Sequence, residues 1–414
     1  MRNPIPKPLW LAFAAVLAIR AFQGATLPWI EYQHDANEFE MLARNVAAGR
    51  PYSYDGVTPT AFRLPAYPLL LAGVFRLAGQ TPSDLPIVGL NTLFSLLAAA
   101  GVFFAGKRLL PVPWAAAAAV LFGLNPELAE LDPTAGPESL FILEYILAAL
   151  TAFRVLEAPE RAGRWAACGA VLGLGLVTRS TMLAWPPVLA AGLVWVRRGP
   201  GVGARAALLL VCCYAFTAAW MVRNKAVVGR AIPFEDGMGS HMLWQGSTSV
   251  EGVQPDDLLP EPLRTYFYSK DPRIGPLSKE LALANIKADP LRYAGYCLKR
   301  IPVMWFRGAW AERTTGLIEG VSVYAARGEW GRVAVKAAFK LLEFCVLCLA
   351  LFGWFSVRGR PEGLLAGFQL FYMNIHIFTM GLPRYIVMAF PLTALLAVCG
   401  AHALWLRFGP ARAA

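Results

Sequence analysis

About ten apolar stretches, each approaching the length of a membrane-crossing helix, constrain this chain more than any other feature. They run Leu9–Leu27, Leu85–Gly106, Val112–Leu128, Leu140–Phe153, Trp165–Val177, Met182–Val196, Ala206–Val222, Val333–Val357, Leu364–Met380 and Ile386–Leu406. With 57% hydrophobic and 16% charged residues, the composition is too apolar for an ordinary water-soluble globule. The expectation is an all-α integral membrane protein, one domain over residues 1–414.

Short cytoplasmic loops collect Lys and Arg. Arg2 and Lys7, Lys107-Arg108, Arg154 with Arg161 and Arg164, Arg197-Arg198 with Arg205, Arg358 with Arg360, and Arg407 with Arg412 all fall on one side under an N-in, C-in arrangement. The turn Glu127 to Glu138 on the other side carries Glu130 and Asp132 and neither Lys nor Arg. Two long segments, about 29–84 and 223–332, then lie outside the cytoplasm. This is the pattern of a multi-pass plasma (inner) membrane protein whose chemistry faces the extracytoplasmic side. The formal net charge of +11 belongs largely to the cytoplasmic flanks, where anionic headgroups are the natural partner. Nucleic acid is not an expected partner. Leu9–Leu27 is read as a retained first helix, since many further spans follow it. Of seven cysteines, six fall inside spans and Cys297 stands alone, so no disulfide framework follows.

Asp35 to Ala48 reads as a short helix, with Phe39, Leu42 and Val46 at helical spacing facing the membrane and Gly49 ending it. Tyr67 to Leu77 is too short to cross, and suits a half-buried interfacial helix with Arg76 snorkelling. In the second segment Ser278 to Arg300 is helical. The run Tyr293, Tyr296, Lys299, Arg300, Trp305, Phe306, Arg307, Trp310 reads as an interfacial belt.

The acidic cluster His34-Asp35-Ala36-Asn37-Glu38, followed by Arg63-Leu64-Pro65-Ala66-Tyr67-Pro68, places charge just beyond the first span, where ionisable groups mark function. The string Asp35-x-x-Glu38-x-x-x-Leu42-Ala43-x-Asn45, then Gly49-x-Pro51-Tyr52-Ser53, then Thr60-Ala61-x-Arg63-x-Pro65-x-Tyr67-Pro68 resembles the opening loop of polytopic GT-C glycosyltransferases. The branch it is most similar to holds the protein O-mannosyltransferases and the lipid A aminoarabinose transferase. Weaker echoes stand at Thr178-Arg179, Arg223-Asn224 and Arg384-Tyr385. The resemblance implies a GT-C-type multi-span helical bundle with short interfacial helices in its extracytoplasmic loops. It implies a sugar taken from a polyprenyl-phosphate lipid and passed to a glycolipid, polysaccharide or protein acceptor.

Such a reaction needs a base beside the attacking hydroxyl and cations beside the departing phosphate. Asp35 is the candidate base, and an Asp there also suits a helix cap. Arg63, Arg384, Arg179 and Arg223 are the candidate phosphate ligands, with Arg63 and Arg384 expected to share one phosphate. A second carboxylate from the next outer turn recurs in the class, and Glu138, Asp132 or Glu38 would supply it. His241 and Tyr67 are candidates for an acceptor cleft. No cofactor is required. A divalent cation on His34, Asp35 and Glu38 is the weaker alternative, lacking an Asp-x-Asp pair or a second nearby His. The rival functions are a transporter or flippase of lipid-linked sugars and a non-catalytic envelope-assembly protein.

Overall fold

The computed structural model describes residues 6–26, 33–79, 84–250, 259–306, 312 and 315–409, without the side chains of 23–26 and 33–36. Among them every regular element is helical. The helices are α1 (Lys7–Thr26), α2 (Gln33–Ala47), α3 (Ala66–Ala78), α4 (Leu85–Gly106), α5 (Val112–Gly123), α6 (Pro126–Leu131), α7 (Glu138–Glu157), α8 (Ala162–Thr178), α9 (Trp185–Val196) and α10 (Val202–Val227). After them come α11 (Met238–Thr248), α12 (Leu263–Tyr268), α13 (Ile274–Ala288), α14 (Pro290–Phe306), α15 (Val321–Ala326), α16 (Trp330–Val357), α17 (Pro361–Tyr372), α18 (Arg384–Val387) and α19 (Phe390–Phe408). Single 3₁₀ segments, Ser180–Met182 and Met373–Phe378, follow α8 and α17.

Four described helices, α4, α7, α10 and α19, are long and apolar enough to cross a membrane. The apolar stretches are more broken than their composition suggests, and the breaks have local causes. Val112–Leu128 divides at Asn125-Pro126, where Asn125 Oδ1 caps α6 by accepting from Glu127 N at 2.8 Å. The stretch from Ile386 divides before Pro391, which falls in the first turn of α19. Helices approach closely where side chains vanish. Any Cβ at Gly169 or Gly173 of α8 would strike the α10 carbonyls of Leu209 and Cys213, and one at Gly353 of α16 the Leu396 carbonyl of α19. The core lies around α7, whose spanning window is mostly buried inside the protein.

The described parts of the two long segments, 33–79, 228–250 and 259–306, are more protein-covered than expected. Phe39 and Leu42 of α2 turn away from lipid: Phe39 meets Tyr67 edge-on at 6.2 Å, and Leu42 packs with Tyr52, Ala61, Leu64, Trp220 and Ile232. Arg76 does not snorkel but donates to Ala47 O at 3.3 Å and Val46 O at 2.8 Å, satisfying carbonyls that end α2. The helix expected over Ser278–Arg300 is two, α13 and α14, parted at Asp289-Pro290. Phe62, Met238, Trp244, Leu263, Ile274 and Ala282 form a separate small core. Arg300 is no belt residue. Fully buried, it donates to Val250 O at 2.8 Å, Ile377 O and Ser249 O at 2.6 Å each, and Gly246 O, tying α14 to the end of α11, the residues just after it and the second 3₁₀ segment. Arg307 and Trp310 lie outside the described residues.

Candidate active site

Two acid–cation nodes form the site. The first is built on α2 and the loop behind it. Gly49, at φ +78°, ends α2, and Asn45 Nδ2 reaches back to Ser53 O at 2.7 Å and Tyr54 O at 3.2 Å. Asp55 Oδ1 accepts from Val57 N and Thr58 N at 2.8 and 2.7 Å, closing a turn. The Tyr52 hydroxyl lies 3.2 and 3.0 Å from Arg63 O and Leu64 O, its one proton shared between the two carbonyls. So restrained, the loop delivers Arg63 Nε to Glu38 Oε2 at 2.7 Å, with both side chains largely buried. Glu38 Oε1 pairs with Lys270 of the second external segment. Lys270 has φ +55° and lies over the rings of Phe62 and Phe267 at 4.6 and 4.9 Å. Sequence reasoning missed it, because nothing local links a loop lysine to an acid 232 residues away. Asp35 and His34 belong to the first turn of α2, and their side chains lie outside the described residues.

The second node is built on α7 and α8. Glu138 opens α7, and Arg179 follows the last residue of α8; Arg179 Nη1 donates to Glu138 Oε1 at 2.7 Å. The guanidinium groups of Arg179 and Arg384 both approach Tyr385, 5.8 and 5.6 Å from its ring centroid. His376 stacks on that same ring, centroids 4.0 Å apart. Tyr67 and Phe39 bridge the nodes. Arg63 lies over Phe39 at 5.3 Å, Phe39 abuts Tyr67, and burial raises the Tyr67 phenol pKa, with the Glu138 and Asp132 carboxylates adding to the rise. Tyr67 is fully buried, a packing member of the site wall.

The remaining candidates have other tasks. Asp132 is 1% exposed and saturated by Arg20 and by hydroxyls from Thr92, Ser95 and Ser139. Arg223 donates to Thr60 O at 2.7 Å and Asn224 Oδ1 at 2.9 Å, strapping α10 to the first loop, and it lies over Trp220 at 4.8 Å. His241 does not line a cleft. Its ring is buried between Phe267 and Trp244, centroids 5.0 and 5.5 Å away, with Nδ1 3.4 Å from Ser278 Oγ. It belongs to the small external core, because an imidazole on the inward face of α11 fills space between aromatic rings.

An open cleft lies beside the second node. Met304, Trp305, Leu347, Ile386 and Phe390 line it, Glu127 and Glu343 enter it, and Pro383, next to Arg384, forms part of its wall.

A family model described as dolichyl-phosphate-mannose-protein mannosyltransferase matches residues 59–222. The Archaeoglobus fulgidus oligosaccharyltransferase in its apo form superposes with a TM-score of 0.55 at 11% identity, over 98% of this chain and 51% of its own. AglB from Archaeoglobus fulgidus, in complex with an inhibitory peptide and a dolichol-phosphate, gives 0.51 at 11% identity over 98% and 51%. ArnT from Cupriavidus metallidurans, bound to undecaprenyl phosphate, gives 0.54 at 16% identity over 95% and 60%. The chain spans about half the length of the oligosaccharyltransferase it matches. No curated protein sequence matches it. The fold is the GT-C fold, as the first-loop string implies.

Proposed function

We propose that this chain is a membrane glycosyltransferase that moves a sugar from a polyprenyl-phosphate-linked donor to a glycolipid, polysaccharide or protein acceptor. The observation that carries the reading is the pair of adjoining nodes, Glu38 with Arg63 and Lys270, and Glu138 with Arg179 beside Arg384. Cations held near apolar surface by carboxylates are set to receive a phosphate. The mostly apolar lining of the cleft, with Pro383 in its wall, supports a lipid chain lying beside that phosphate. The relatives' bound dolichol-phosphate and undecaprenyl phosphate support the same donor class.

In this mechanism the acceptor hydroxyl attacks the anomeric carbon, and the bond from that carbon to the phosphate oxygen breaks. Asp35, three residues before Glu38 on α2, takes the hydroxyl proton. Arg384 and Arg179, with Arg63, stabilise the negative charge growing on the departing lipid phosphate. Leaving-group stabilisation rests on side chains, and no cofactor enters. The distribution of Lys and Arg supports a reaction on the extracytoplasmic face of a plasma (inner) membrane.

The test is to purify the protein, identify its bound lipid by mass spectrometry, and follow release of polyprenyl phosphate from a lipid-linked sugar. Asp35→Asn retains shape and a capping oxygen, so lipid binding persists and turnover is lost. Equal transfer rates for parent and variant would remove Asp35 from the mechanism. Loss of turnover on chelation, restored by added magnesium or manganese, would move the charge balance to a cation at His34 and Asp35.

A further inference from the structure

Glu144 is buried inside α7, the helix whose spanning window is the most enclosed of the four. Its surroundings are Phe141, Tyr145, Ala148, Leu172, Gly175 and Met182, the walls of a small, largely apolar crevice between α7 and α8. Oε2 is buried without a hydrogen-bond partner. Oε1 lies 2.9 Å from Thr178 Oγ, which also lies 2.9 Å from Leu174 O. A hydroxyl has one proton to give. If it goes to the Leu174 carbonyl, the Glu144 carboxyl must itself be the donor to Thr178, and only the neutral acid can donate. The alternative is an ionised carboxylate in an apolar crevice with a single hydrogen bond, which desolvation forbids. With the Thr178 proton on Leu174 O, the chain runs from the Glu144 O–H to Thr178 Oγ and on to that carbonyl.

Thr178 is the last residue of α8, and the next residue is Arg179. Arg179 leaves the helix in extended conformation, at φ −149° and ψ 126°, holding only its N–H to Gly175 O at 2.8 Å. We propose that Glu144, as the neutral acid, is a positioning residue: through Thr178 it fixes the end of α8, so that Arg179 is presented to Glu138. Presentation to a donor phosphate rests on the function proposed above.

The test compares Glu144→Gln, whose amide N–H₂ still donates to Thr178, with Glu144→Leu, which cannot, in the full chain in detergent. Backbone hydrogen exchange over residues 178–183 reads the latch without any ligand. Exchange is expected to quicken about tenfold in Glu144→Leu, the loss of one buried hydrogen bond, and to stay near parental in Glu144→Gln. Undecaprenyl phosphate then serves as the binding probe. Glu144→Leu is expected to weaken it about tenfold, and Glu144→Leu/Arg179→Gln to bind no worse than Arg179→Gln alone, because the acid acts only through that arginine. Unchanged exchange in Glu144→Leu, multiplying losses in the double variant, or equal damage from Gln and Leu would each overturn the proposal. A parent that binds no undecaprenyl phosphate but whose exchange responds as expected overturns the donor reading and supports the latch on Arg179.

Discussion

Asp132 and Glu138 lie six residues apart on the same turn, and the structure uses them oppositely. Asp132 is saturated: Arg20 pairs with it, hydroxyls from Thr92, Ser95 and Ser139 reach it at 3.2, 3.1 and 3.0 Å, and its side chain is 2% exposed. Glu138 has one hydrogen-bonded partner among the described residues, Arg179, and its side chain is 16% exposed. A saturated ionic group has nothing left to offer a ligand, and its removal strands a buried charge. A half-satisfied one at a helix N-terminus keeps capacity for a reacting molecule. On this distinction Asp132 holds α1, α4 and α7 together, and Glu138 is the acid proposed for the chemistry.

Substitution at Asp132 is the largest expected effect. Asp132→Ala should destabilise the protein by about 4 kcal/mol, because Arg20 is left buried and unpaired. Thermal unfolding in detergent measures it, and a second change, Arg20→Met, should recover much of the loss. Intact stability with abolished transfer would reverse the roles assigned to the two acids. Next comes Glu138→Gln, expected to slow transfer about a hundredfold while moving the unfolding midpoint by no more than about 2 °C. Parental kinetics in that variant would leave the second node without a part in the reaction. Arg223→Gln should fall between the two kinds of site. It loses its bond to Thr60 O and its place over Trp220, for about 2 kcal/mol of stability. Proteolysis should appear within residues 52–60, and a stable variant with weakened donor binding would return Arg223 to the phosphate ligands.

The helices were legible because apolar runs, Pro and Gly act locally, and α2, α3 and the opening of α7 stand within a few residues of where the sequence places them. The nodes were legible in half. Glu38 and Arg63 stand in the first-loop string, Arg179 and Arg384 in its weaker echoes and Glu138 on the next turn, but Lys270 and Arg20 reach acids 232 and 112 residues away and carry no local sign. Phe39 and Leu42 reveal a second limit. Periodicity reports that a face is apolar, not whether lipid or protein covers it. Arg300 and Arg76 reveal a third, since an arginine in an aromatic-rich run looks interfacial until the carbonyls it satisfies are known.

His241 extends the comparison to the external core, with the smallest expected effect. Like Asp132 it is buried and structural, yet like Glu138 it is only half satisfied, for Nδ1 faces Ser278 while Nε2 is buried without a partner. Burial pushes its pKa down to about 4, from an ordinary 6.5. The folded protein thus holds His241 neutral where the unfolded chain would already take a proton. Stability from this group is full above pH 6.5 and declines as pH falls through 6.5 toward about 4, where the folded ring also protonates. By about pH 5.5 the decline should amount to about 1 kcal/mol relative to pH 8. His241→Phe keeps a ring between Phe267 and Trp244 and removes the titration. Unfolding followed by Trp fluorescence from pH 8 to 5 should show parent and variant diverging below pH 6.5. Parallel curves would mean that the ring is hydrated in solution, and the external core would then be looser than the packing of α11 against α13 implies.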